Sequence, residues 1–135
     1  MHFEYPQKVL FKYCDPAGIV FFPRYAELLN DAVETFFADV LKWPFEEMHP
    51  EAGVPTAQLS MDFKAPSFHG DMLNLQITIQ KIGRASLQLQ TTALCQTETR
   101  FIADQTLVCV DGSGRPMSWP DDVRTRLKQT MESHS

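Results

Sequence analysis

From Arg24 onward the apolar positions fall at three- and four-residue steps: Tyr25, Leu28, Leu29, Ala32, Val33, Phe36, Phe37, Val40 and Leu41. Glu27, Asn30, Asp31, Glu34, Thr35 and Asp39 fill most of the gaps, so one face is apolar and the other polar. The spacing predicts an amphipathic helix of about 17–19 residues, roughly 26–28 Å long. Pro23 suits its first position, where a missing N–H costs nothing. A stripe carrying the rings of Tyr25, Phe36 and Phe37 needs a large apolar surface to cover it.

Elsewhere the period is two. Val9, Phe11 and Tyr13 alternate with Lys8, Leu10 and Lys12, which predicts a short strand ahead of the helix. After a helical turn or loop over 44–50, strands are expected over 54–64, along Leu73, Leu75, Ile77 and Ile79, from Leu87 and Leu89 towards Leu94, and over 101–110. Residues 65–71, Gly83-Arg84, 96–98 and 111–114 read as connections, and Trp119-Pro120 opens a polar helix over 121–131. One strand, a long helix and four antiparallel strands make an α+β fold whose sheet curls around the helix. A ferredoxin-like sandwich needs a second long helix between strands, and none is visible before Pro120.

A length of 135 residues, without repeat or linker, predicts a single domain over 1–135. A net charge of −5 argues against a nucleic-acid binder, yet leaves room for a local basic cluster on a phosphate. No apolar run approaches the ~20 residues that span a bilayer. Cys14, Cys95 and Cys109 show no CxxC spacing, and no signal peptide is visible, so free thiols in a reducing cytoplasm are expected. His2, His49, His69 and His134 are scattered without metal-ligand spacing, so no metal is expected.

The chemistry concentrates at Cys14-Asp15-Pro16-Ala17-Gly18, an acid on a Pro/Gly turn just ahead of the helix. A carboxylate beside the unpaired N–H groups of a helix start suits reaction at a carbonyl: the acid attacks or activates water, and the N–H groups stabilise the oxyanion. Asp before Pro is also a plain turn former. Cys14 lacks a paired His, and no G-x-S-x-G elbow exists. His69 sits in a loop that nothing in the sequence brings near Asp15.

The stretch from Lys8 to Tyr25, and above all Asp15-Pro16-Ala17-Gly18-Ile19-Val20, closely resembles the signature of the 4-hydroxybenzoyl-CoA thioesterase family. The resemblance implies the hotdog fold, an antiparallel sheet wrapped around a long central helix. It implies hydrolysis of an acyl-CoA thioester to a carboxylic acid and free CoA, with an aryl-CoA such as 4-hydroxybenzoyl-CoA favoured. Carried over residue by residue, Asp15 is the nucleophile or general base, the backbone N–H of Phe22 the oxyanion donor, and Gly18 the point of close approach to the ligand. Phe21, Pro23 and Tyr25 are the expected acyl-side contacts. Lys81, Arg84 and Ser86 around the Gly83 turn are expected to hold the CoA phosphates or, equally, to be solvated turn residues. Arg24, Lys64, Arg100 and Arg115 are lesser candidates of the same kind, and Asn30 or Asp31 is placed to reach a neighbouring site.

Coenzyme A is part of the substrate, and no further cofactor is implied. Protomers of the family pair edge to edge into dimers, commonly joined into tetramers, with active sites at the dimer interface. Three alternatives stay open: a thioesterase for short- or medium-chain acyl-CoA or acyl carrier protein, a non-catalytic acyl-CoA-binding protein, and a dehydratase or isomerase. The last wants a His beside an acid on the helix, and the helix has none.

Overall fold

In the computed structural model, which describes residues 2–134, the amphipathic segment forms helix α1, Pro23–Asp39. Pro23 lies in its first turn, and Tyr25, Leu28, Leu29, Ala32, Val33, Phe36 and Phe37 are buried, as the spacing requires. The cover is a five-stranded antiparallel sheet of β1 (Phe3–Lys8), β3 (Thr56–Phe63), β4 (Met72–Ile82), β5 (Ser86–Cys95) and β6 (Glu98–Val108). Its order is β1-β4-β5-β6-β3. Leu73, Leu75 and Ile77 of β4, Leu87 and Leu89 of β5, and Phe101, Ala103 and Leu107 of β6 are buried in one core with α1. Each fully buried Leu or Phe contributes about 1.5–3 kcal/mol. A sheet curled around α1 is the hotdog arrangement expected from the sequence.

Four further elements follow: helix α2 (Phe45–Met48), the two-residue strands β2 (Ala52–Gly53) and β7 (Val110–Asp111), which pair with each other, and helix α3 (Asp121–His134). The Trp119 ring, ahead of α3, lies 6.3 Å from Phe37, and Arg126 Nη1 donates to the Leu41 carbonyl at 3.2 Å, so α3 closes beside the C-terminal end of α1.

The first strand differs from expectation. Phe11–Tyr13 is a single 3-10 turn, and the strand lies upstream in β1, with Tyr5 opposite Leu75 and Pro6 opposite Asn74. Pro6 reads as a breaker, but β1 is an edge strand, where a missing N–H removes no needed bond. The last sheet strand also shifts: it starts at Glu98 and ends at Val108, leaving Val110–Asp111 to pair with β2.

The two sheet edges are unlike. Residues of β1 alternate between half-buried and exposed, whereas seven of the eight β3 residues are exposed and only Met61 is partly covered. In register, Leu59 faces Gln105, Met61 faces Ala103 and Phe63 faces Phe101, so the apolar side of β3 continues the core surface but is only partly covered. Leu59 is 41% and Phe63 49% exposed.

Candidate active site

Asp15 lies on a tight hairpin between the 3-10 turn and α1. Its N–H donates to Ile19 O at 2.9 Å, Gly18 N–H returns to Asp15 O at 2.9 Å, and Cys14 and Val20 pair as an antiparallel bridge. Asp15 Oδ1 accepts the Ala17 N–H at 2.8 Å, which fixes the carboxylate against its own turn. Among the described residues Oδ2 takes no hydrogen bond, so one carboxylate oxygen stays available. Gly18 has φ +82°, a left-handed conformation that favours glycine, and a Cβ built there would touch nothing within 4 Å. The glycine serves the turn's shape, and the space in front of it is open.

Phe22 caps α1 and Pro23 follows it without an N–H. Arg24 N–H donates to Phe21 O at 2.8 Å and Tyr25 N–H to Phe22 O at 3.1 Å, whereas the Phe22 N–H has no acceptor among the described residues. A free donor at a helix start carries the positive end of the helix dipole with it. Phe22 also lines a cavity of about 560 Å³ together with Ile19, Val20, Tyr25, Phe63, Lys64, Ala65 and Pro66. The rings form one wall: Phe22 stands 6.2 Å from Phe63, and Tyr25 stacks on Phe63 at 5.5 Å and meets Phe101 at 5.0 Å. Asp15 is not in the lining; it stands across the hairpin from Ile19, which is.

The expected site residues therefore divide. Phe22 and Tyr25 line the cavity, Asp15 and Gly18 flank it through the hairpin, and Phe21 and Pro23 are exposed outside its lining. Lys81, Arg84 and Ser86 lie elsewhere. They sit at the far end of β4, about 33 Å along the strand from Met72, which neighbours the hairpin end. The Arg84 guanidinium there donates to Ser118 Oγ at 2.9 Å, and Ser86 carries the Trp119 indole N–H on its carbonyl at 3.1 Å. Within one chain the basic hairpin cannot share a ligand's reacting end with Asp15.

Two lesser candidates are committed to other partners. Arg100 is buried in an ion pair with Asp71, Nη1 to Oδ2 2.7 Å, and Arg24 is paired with Glu27 at 2.9 Å. Lys64 is exposed at the cavity's rim. His69 corrects the expectation of remoteness: its N–H donates to Gly18 O at 3.3 Å, and its ring lies 5.8 Å from Phe11. Asn30 and Asp31 line a separate groove of about 640 Å³ with Lys12, Tyr13, Arg24, Ala26 and Glu27. Tyr5 is raised first by burial and then by Asp31, Tyr13 and Glu34, which sets that acidic side of α1 towards β1.

Of the lining, Phe63, Ala65 and Pro66 were not singled out by sequence. Phe63 had only its place in the strand expected over 54–64, which does not say what its ring meets. Among the described residues no group of three His, Cys, Asp or Glu is set to hold a metal, and no helix is long and apolar enough to cross a membrane.

Known proteins resemble this chain in sequence and in fold. Residues 9–127 match the model of the thioesterase-like superfamily. The 1,4-dihydroxy-2-naphthoyl-CoA hydrolase of Nostoc punctiforme is 28% identical over 125 residues, covering 91% of this chain and 84% of that protein. The 4-hydroxybenzoyl-CoA thioesterase of Pseudomonas sp. is 30% identical over 83 residues, 59% of each. A solved gentisyl-coenzyme A thioesterase superposes with a TM-score of 0.83 at 25% identity, covering 91% of this chain and 98% of its own.

Proposed function

The chain belongs to the thioesterase-like superfamily, and from that premise we propose that it hydrolyses acyl-CoA thioesters, with an aromatic acyl group preferred. One observation carries the reading: Asp15 keeps a free carboxylate oxygen on a hairpin that leads straight into the unpaired Phe22 N–H at the rim of an aromatic cavity. The Phe22, Tyr25 and Phe63 rings suit a flat acyl group by offset and edge contacts.

In the reaction, the thioester carbonyl oxygen accepts the Phe22 N–H, and negative charge develops on that oxygen as the carbon becomes tetrahedral. A donor of this kind is worth about 3–4 kcal/mol in the transition state. Asp15 acts by one of two balanced routes. As nucleophile it bonds to the carbonyl carbon, the C–S bond breaks, the CoA thiolate takes a proton from solvent, and water then cleaves the mixed anhydride. As base it takes a proton from water, the water oxygen bonds to the carbon, and the departing thiolate recovers that proton. Both routes turn thioester and water into carboxylic acid and thiol, so neither calls for a separate cofactor.

A second copy completes the site. The open β3 edge, apolar on one face and unpaired along its length, is the natural seam. Antiparallel pairing of two β3 strands turns the partner by half a revolution. The β4–β5 hairpin bearing Lys81 of the partner subunit and Arg84 of the partner subunit then comes to the sheet end that carries Asp15. It lies three to four strands across the seam, about 15–20 Å away at the usual strand spacing, a span suited to an extended pantetheine arm. Lys81 and Arg84 thus serve the CoA phosphates in trans.

The test is thiol release from a panel of aryl- and alkyl-CoA thioesters by the purified protein and by Asp15→Asn. Aryl-CoA cleavage that collapses in the variant is expected. Cleavage undiminished in the variant removes Asp15 from the mechanism, and a panel left intact by the wild type replaces hydrolysis with acyl-CoA binding.

A further inference from the structure

Of all hydrogen bonds made by residues 15–20, those that leave the segment end on one other stretch of chain, the connection between β3 and β4. Val20 N–H donates to Ser67 O at 2.9 Å, and Gly18 O accepts the His69 N–H at 3.3 Å. The other bonds of the hairpin run back to the 3-10 turn just ahead of it, Cys14 N–H to Phe11 O at 3.0 Å and Phe21 N–H to Tyr13 O at 2.9 Å. Residues 64–71 are therefore its hydrogen-bonded support from a distant part of the chain, beside the burial of Tyr13 and Val20 in the core.

That connection has an unusual fastening. A single nitrogen, Arg100 Nη1, donates to Pro66 O at 3.0 Å and to Asp71 Oδ2 at 2.7 Å, drawing together residues near its two ends. Asp71 Oδ2 also accepts the Phe68 N–H at 2.9 Å. The Arg100 carbonyl takes the N–H groups of Lys64 at 2.8 Å and Ala65 at 3.3 Å, while Arg100 Nε makes an ion-pair contact of 2.6 Å with Glu98 Oε1. Val9 clamps the far end, donating to Asp71 O at 2.7 Å and accepting from Gly70 at 2.9 Å.

The Arg100 side chain is only 10% and that of Asp71 25% exposed. Taking a guanidinium out of water carries a desolvation penalty that an apolar side chain at that place would avoid. What the ion gains is geometric: the two N–H groups of Nη1 point in fixed directions within the guanidinium plane, one to a backbone carbonyl and one to a carboxylate, which an apolar residue cannot do and a freely rotating ammonium does with less fixed geometry. Asp71 is held below its ordinary carboxylate value by the Phe68 N–H and then by Arg100, against burial.

We propose that Arg100 and Asp71 are positioning residues of the thioesterase site: their buried pair rigidifies residues 64–71, and through Ser67 and His69 it fixes the hairpin that aims Asp15. This rests on the hydrolase reading for its kinetic half only. A catalytic group displaced by about 1 Å loses on the order of 10²-fold in rate, so a contact that never touches substrate can govern kcat.

The experiment compares wild type with Arg100→Met, Arg100→Lys and Asp71→Asn on the aryl-CoA that wild type cleaves best. It also follows amide hydrogen exchange at Val20 and His69 against Leu75 and Thr91 in the sheet centre. Expected are a fall in kcat of roughly 10–100-fold with KM changed far less, and faster exchange at Val20 and His69 with the sheet centre unaltered. Arg100→Lys keeps the charge and the donors without the fixed plane, and falls between wild type and Arg100→Met. In the double variant the losses do not add, because both changes open one fastening. A folded Arg100→Met or Asp71→Asn protein with native kcat overturns the proposal, whatever its exchange. So does exchange that rises uniformly across the sheet, which marks a merely structural pair. If wild type cleaves no thioester, the hydrolase reading falls alone, and the exchange pattern still decides whether the pair fixes the hairpin.

Discussion

The two ends of β4 make a useful contrast. At the Met72 end the chain assembles a carboxylate, a free N–H and an aromatic wall, tied down by a buried ion pair. At the Ile82 end it presents Lys81, Arg84 and Ser86 on an open hairpin, backed by Arg124 Nη2 on the Arg84 carbonyl at 2.7 Å. The first end needs atoms fixed in a small volume, so it is built from near-consecutive residues braced from behind. The second needs only positive charge within reach of a phosphate, which flexible cations supply without a braced frame. In the proposed reading the first end is open on one side, and the second serves it only when another copy brings it round.

Asp15→Asn tests the first end and has the largest expected effect. The change keeps the side chain's size and the oxygen that accepts the Ala17 N–H, yet removes the base or nucleophile, so kcat falls about 10²–10⁴-fold with the circular dichroism spectrum unchanged. Single turnover of wild type in ¹⁸O-water then separates the routes. A nucleophilic Asp15 whose mixed anhydride takes water at the Asp15 carbonyl leaves unlabelled product and an ¹⁸O label in its own carboxylate after the first cycle, whereas a general base puts the label in the product.

Mixing variants sharpens the contrast between the ends. Lys81→Ala/Arg84→Ala loses charge-assisted contacts worth about 1.5–3 kcal/mol each, so KM for the CoA ester rises at least tenfold with kcat nearly unchanged. Asp15→Asn and the double-alanine protein are each poor alone. After dissociation and reassociation a mixed dimer holds one site with Asp15 from one chain and the basic hairpin from the other, so activity returns. No recovery on mixing would return Lys81 and Arg84 to solvated turn residues. Leu59→Arg sets two guanidinium groups close to the proposed seam; a monomer on a sizing column is expected, with KM rising as in the double-alanine protein.

The same contrast explains what was legible in the sequence. α1 was readable because its apolar period and Pro23 are local, and the Asp15 hairpin because its parts are consecutive. Strand β1 was missed since Pro6 argues against a strand unless the strand is known to lie at an edge, and edge position is a tertiary fact. Strands β2 and β7 have two residues each, too few to show a period. The Arg100–Asp71 fastening joins residues 29 apart in the chain, and no local pattern distinguishes it from surface charge. The cavity wall at Phe63 became visible only once β3 was known to pair with β6, opposite Phe101.

The smallest effects come from titration, and the two ends respond on opposite sides of neutrality. At the hairpin end Cys109, whose N–H donates to Ala85 O at 2.7 Å, is fully buried, and burial pushes its thiol up to about 11. An unfolded thiol releases its proton near pH 8.5. Stability from the buried thiol is therefore complete below that pH and drains away as pH rises towards 11. By pH 10 wild type should lose about 1–2 kcal/mol more than Cys109→Ala, read from urea midpoints. At the turn end Asp71 is lowered by the Phe68 N–H and Arg100, so its share is complete above the ordinary carboxylate range, about pH 4, and is lost as pH falls through its lowered value. Asp111 is lowered too, first by the Ser113 hydroxyl, and contributes to the same acid limb. The comparison of wild type with Asp71→Asn isolates the turn end: the variant's stability should fall less steeply below pH 4, and Val20 amide protection should already be reduced at neutral pH. An acid limb equally steep in both proteins would mean that the pair braces nothing the folded state depends on.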